Sequence, residues 1–127
     1  MKLHCVWEHN GNDTLLYSAE YIGAYTRGMN LDTAIAKMKA EIDAYSLWSG
    51  QSAGEFSEIE IVQEKISSLQ IADADSDILF DSERTPLSQT EYEELKALVL
   101  KSAQDFHDLY ISVPTKDTSC LPQRTTF

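Results

Sequence analysis

Residues 23–28 read Gly-Ala-Tyr-Thr-Arg-Gly, and the chain turns into helix directly after them. Gly23 and Gly28 allow backbone conformations closed to other residues at the two ends of this stretch. Thr26, β-branched, suits an extended position between them. Residues 24–27 are therefore expected to form a short strand. Asn30 then makes a good N-cap, and Asp32 places negative charge in the first turn, where the helix dipole favours it. Leu31, Ile35, Met38, Ile42 and Tyr45 follow at three- and four-residue spacing, one apolar stripe, while Lys37, Lys39, Glu41 and Asp43 take the other faces. Ser49 and Gly50 should stop the helix near Trp48.

Around this centre the chain alternates. Residues 2–8 place Leu3, Cys5 and Trp7 on one side and Lys2, His4, Val6 and Glu8 on the other, a period-2 strand. Asn10-Gly11-Asn12-Asp13 is a turn cluster carrying a hairpin signal, and residues 14–19 form the returning strand. After a loop over 51–56, residues 57–64 alternate again, with Ile59 and Ile61 on one face. The expected fold is α+β, with elements in the order β-β-β-α-β.

The remainder reads differently. Residues 71–83 are acidic and are expected to form a connector. A second helix is expected over 88–113, opened by Pro86, Leu87 and Ser88 and ended by Pro114. Thr90 with Glu93 fits a capping box, and Ser88 with Glu91 is the alternative in the same turn. Tyr92, Leu95, Val99, Phe106 and Tyr110 recur at close to heptad spacing. Residues 115–127 are polar and without periodicity. The natural division is an α/β domain over 1–70, followed over 71–127 by connector, helix and tail.

The run from Gly23 through Thr26, Gly28, Asn30 and Leu31 to Ala34 resembles the core motif of HicB-like proteins, and the resemblance spans about residues 1–64. It implies a three-stranded antiparallel meander, a helix packed on it, and a fourth strand beside the first. HicB-like proteins often act as antitoxins, holding a small basic toxin on the α/β domain and DNA on a C-terminal segment. Here the second half is acidic and offers no basic reading helix, so DNA binding does not carry over. A weaker resemblance links the helix 88–113 and the tail to the opening of a DinB-like bundle. That resemblance implies the N-terminal part of a metal-dependent enzyme whose histidine ligands lie on later helices.

The formal net charge of −11 disfavours phosphate backbones and anionic membranes and favours a basic protein partner. Two cysteines, no signal peptide and no long apolar run point to a cytoplasmic protein. Cys5, on a strand, reads as an inert core thiol, and nothing activates Cys120. Residues 49–54 are Gly/Ser-rich but lack the Gly-Lys-Ser/Thr of a phosphate loop. Asp73, Asp75 and Asp77, with Asp81 further on, resemble the first ligands of a calcium loop. However, Ile78 stands where that loop needs Gly and Arg84 where it needs an acid, so a solvated acidic loop is the better reading. His4, His9 and His107 show no zinc spacing. No catalytic residue and no cofactor are expected. The expected role is a non-catalytic interaction module forming a homodimer, with Trp7, Tyr17, Tyr25 and Trp48 as interface residues.

Overall fold

The computed structural model describes residues 1–114, which fall into two compact units divided after Arg84. The expected tail and Cys120 lie outside the described residues. In the first unit, β1 (Lys2–His9), β2 (Thr14–Ser18), β3 (Tyr25–Gly28) and β4 (Glu58–Ile66) form one sheet in the order β3-β2-β1-β4. β1 with β2 and β2 with β3 pair antiparallel; β4 lies parallel to β1. The parallel pairing needs a crossover, which α1 (Leu31–Ser49) supplies. The β1–β2 turn is held by Asn10, whose Oδ1 accepts the N–H groups of Asn12 and Asp13, with Gly11 at a φ of 93°.

Alternation divides the sheet into two faces. Leu3, Cys5 and Leu16 are fully buried against Ala34, Met38 and Ile42 of α1, with Trp7, Ile59 and Ile61 packed around them. Val6, Glu8 and Leu15 are also buried but point to the opposite, outer face. A bulge between Cys5 and Val6 breaks the β4 register, so that Gln63 pairs with Val6 and Lys65 with Glu8. Straight alternation from Ile59 and Ile61 would put both on the α1 face; the bulge turns them outward.

The 23–28 motif joins strand to helix. Asn30 Oδ1 accepts from the Thr33 N–H and Thr33 Oγ1, both at 2.9 Å, and Gly50 closes the helix at a φ of 75° with its N–H on Ser46 O. Thr26 Oγ1, buried, donates to Ala34 O at 2.8 Å and ties β3 to the first turn of α1. Gly23 has the expected positive φ, 99°. Gly28 does not, which corrects the expectation that its conformational freedom matters. A Cβ there would lie 2.9 Å from Thr33 Cβ and Cγ2 and 3.2 Å from Ala34 N, so Gly28 is needed for close approach of strand and helix.

The acidic segment expected as a connector is instead a strap on the outer face of the sheet. A short 3-10 turn at Ile71–Asp73 inserts the fully buried Ile71, and a second turn at Asp81–Arg84 ends the unit. In the second unit, α2 (Gln89–Ser112) is capped by Ser88, whose side chain accepts the Glu91 N–H while Glu91 accepts the Ser88 N–H. The capping box is thus Ser88 with Glu91, not Thr90 with Glu93, because the helix begins at Gln89 and Thr90 already lies inside its first turn. Among the described residues no helix is long and apolar enough to cross a membrane.

Replacing Gly28 with Ala should therefore lower stability by about 1–3 kcal/mol through overpacking against Thr33. Urea unfolding followed by far-UV circular dichroism measures this. A stability equal to the parent would show that strand and helix do not need the close approach.

Candidate functional site

The densest polar arrangement lies on the outer face of the sheet, where Glu8 is fully buried. Its Oε1 accepts Tyr17 Oη at 3.1 Å from β2 and Ser76 Oγ at 2.5 Å from the strap, and its Oε2 accepts the Asp77 N–H at 3.4 Å. A carboxylate removed from water is tolerated only with such donors. The strap is tied down further by the two residues that the β4 bulge turns outward. Gln63 donates to Leu79 O at 2.9 Å and accepts the Asp81 N–H at 2.8 Å, and Lys65 pairs with Asp77 at 2.7 Å. That ion pair holds the Asp77 carboxyl below its ordinary pKa.

Beside Glu8 opens a pocket of about 340 Å³ lined by Tyr17, Tyr25, Phe80, Glu83, Leu15 and Ile78. Phe80 meets the Tyr17 ring edge-on at 5.5 Å, and Tyr25 lies 6.0 Å from Tyr17. A second pocket of similar size, near the β1–β2 turn, includes Trp7, His9, Asp13 and Asp32. There the His9 ring stacks on Trp7 at 4.0 Å, and its Nε2 bonds Glu64 at 2.7 Å.

The four aromatic residues expected at an interface are divided between the faces. Tyr17 and Tyr25 come together on the outer face. Trp7 and Trp48 sit half-buried on the α1 side, Trp48 edge-on to Tyr45 at 5.6 Å. The motif residues Gly23, Thr26, Gly28, Asn30, Leu31 and Ala34 are all spent on the strand–helix junction. The calcium-like aspartates do not converge: Asp77 faces Lys65 and Asp81 lies 3.5 Å from Arg84. Among the described residues no group of three or more His, Cys, Asp or Glu is placed to hold a metal. Burial, reinforced by the charge of Glu20, pushes the Cys5 thiol up to about 12. His4 and His9 are each paired with an acid, Glu20 and Glu64.

Alternation alone missed Glu8, Ser76, Phe80 and Glu83. It placed Glu8 correctly opposite Leu3 and Trp7 but left that side uncovered, because 71–83 read as solvated. The available signal was the apolar content of the segment, Ile71, Ile78, Leu79 and Phe80, embedded among its acids. Compared with family models, curated proteins and solved structures, the chain matches none.

Glu8→Ala leaves the Tyr17 and Ser76 hydroxyls and the Asp77 N–H without their acceptor, and is expected to cost about 3 kcal/mol in urea unfolding; Ser76→Ala alone should cost about 1 kcal/mol. A Glu8→Ala protein as stable as its parent would mean that the strap is not held by this carboxylate.

A second expectation concerns alkaline pH. Burial first, then the neighbouring Glu8 charge, raises Tyr17 from 10.0 to about 12, as burial raises Cys5 from 9.0. Both groups hold their protons more tightly folded than unfolded. The stability they contribute is fully present below about pH 9 and is lost as pH rises toward 12. Tyr17→Phe should flatten the part of this loss above pH 10, as read from urea midpoints against pH.

Proposed function

We propose that this chain is a non-catalytic, HicB-like interaction module of the cytoplasm that pairs with a second copy of itself through α2 and holds a basic protein partner on its α/β unit. The observation that carries the self-association is the face of α2. Tyr92, Val99, Phe106 and Leu109 are each about half or more exposed, Leu95 is half-buried, and α2 has no buried residue.

Written as heptads, Tyr92, Val99 and Phe106 fall at a, and Leu95, Ser102 and Leu109 at d. Leu100 and Ile111 lie off this seam. Glu91 then stands at g and Lys96 at the following e. This spacing sets opposite charges against each other across two parallel helices. The local supports of α2 are its capping box and i,i+4 pairs such as Lys101–Asp105 and Gln104–Asp108. Such pairs add only about 0.2–0.5 kcal/mol each. A helix of this kind depends on covering its apolar face.

The β-β-β-α-β order and the Thr26–Ala34 junction support the HicB-like lineage, and the free, buried Cys5 suits a reducing compartment. A non-catalytic role is supported by the state of the two buried groups that could otherwise act as base or nucleophile, Glu8 and Cys5. Glu8 binds three donors within the fold, and the Cys5 thiol is held far above neutrality.

Light scattering of the full chain should give twice the chain mass of 14.3 kDa at concentrations above micromolar. Val99→Asp with Phe106→Asp should return it to one chain mass while tryptophan fluorescence of the first unit is unchanged. A monomer at every accessible concentration, or a dimer indifferent to the double substitution, overturns the α2 seam.

A further inference from the structure

The pocket over the outer face is built from groups that suit one ligand chemistry. The Tyr17 ring is tilted 34° from Tyr25 and 62° from Phe80, so it is stacked flat on neither, and all three rings line the pocket. Tyr17 donates its hydroxyl hydrogen to the buried Glu8 carboxylate, which enriches the ring further and sets a negative charge behind it. Burial keeps the Tyr17 phenol neutral to about pH 12. At the rim, Glu83 Oε2 accepts the Phe80 N–H at 3.0 Å, which orients the carboxylate and leaves its other oxygen for a further donor. None of the residues lining the pocket is basic.

We propose that this pocket binds an arginine side chain from a basic polypeptide; the inference rests on the reading of a basic partner above and gives it a site. A planar, weakly hydrated guanidinium stacks on aromatic faces and forks onto a carboxylate, and the pocket supplies both. A lysine ammonium offers no plane to stack and gives up more hydration on entry. The net charge of −11 draws a basic segment toward the surface. Glu83 and the three rings then select its side chain.

The test is a titration of the full chain with Nα-acetyl-arginine amide, following the ring protons of Tyr17, Tyr25 and Phe80 by NMR. Saturable shifts are expected at millimolar ligand, with the uncharged citrulline analogue and Nα-acetyl-lysine amide each weaker by about fivefold or more. Glu83→Gln and Phe80→Leu should each weaken arginine binding by about fivefold, with the Trp7 indole resonance unshifted as evidence of an intact fold. No ring shift, an equal response to citrulline or lysine, or indifference to both substitutions overturns the proposal. Should the variants fail to fold, the comparison of the three ligands on the parent chain still decides. An arginine-rich peptide that binds by calorimetry without moving these rings would overturn the pocket and leave the basic partner standing. The ring shifts report on the first unit whatever the mass in solution, so a monomer that binds arginine amide separates this site from the α2 seam.

Discussion

The buried carboxylate of Glu8 is the constraint around which the first unit is arranged. One helix covers one face of a four-stranded sheet, and the other face needs something else. Here it receives a strap of mixed character, apolar where it meets the sheet and acidic where it meets water. Ile71 is fully buried and Phe80 lies on Tyr17, while Asp73, Asp75, Asp77 and Asp81 stay exposed. A segment so rich in charge gains little from apolar burial alone. Glu8 adds direction: the Ser76 hydroxyl and the Asp77 N–H must both reach it, which fixes where along the sheet the strap lies. The energetic logic runs both ways. Without the strap Glu8 would be an ordinary solvated acid; with it, the carboxylate is desolvated and depends on those donors.

The β4 bulge serves the same arrangement. Ile59 and Ile61 complete the core under α1, and the strand then shifts register, so that Gln63 and Lys65 face the strap. Gln63 binds both a donor and an acceptor of strap backbone, and Lys65 neutralises Asp77. One edge strand thus contributes to two cores with different chemistry, apolar beneath the helix and polar beneath the strap. The exposed Val62, the extra residue of the bulge, is the cost of that switch.

How far the fold was legible follows from how local its causes are. The 2–9 alternation, the Asn10 turn, the Asn30 cap and the Gly50 stop act within a few residues, and each reads directly from neighbouring side chains. The strand–helix junction was half legible. Gly23, with its positive φ, acts through its own backbone, whereas Gly28 acts through Thr33, which only the packed structure brings within 2.9 Å of its missing Cβ. The outer face was least legible, because its contacts join residues far apart in the chain. Ser76 and Glu8 are separated by 68 positions, and nothing near Glu8 distinguishes it from a solvated acid. The aromatic pocket inherits this: Tyr17 and Tyr25 are readable from the strands as surface aromatics, but Phe80 and Glu83 arrive only when the strap docks.

The α2 seam and the aromatic pocket differ in kind, and ionic strength separates them. Joining two copies along α2 brings together two chains that each carry −11, so the apolar seam must overcome a long-range repulsion that salt screens. Capture of an arginine works in the opposite sense, since salt weakens the attraction that draws the cation in. The stacking component, being short-ranged and partly desolvated, is screened less. A strongly acidic module built this way would pair more firmly as salt rises and release a basic partner more readily. The division follows from charge placement: the pocket is lined by the acid Glu83 and by no basic residue, and the a and d positions of α2 are uncharged.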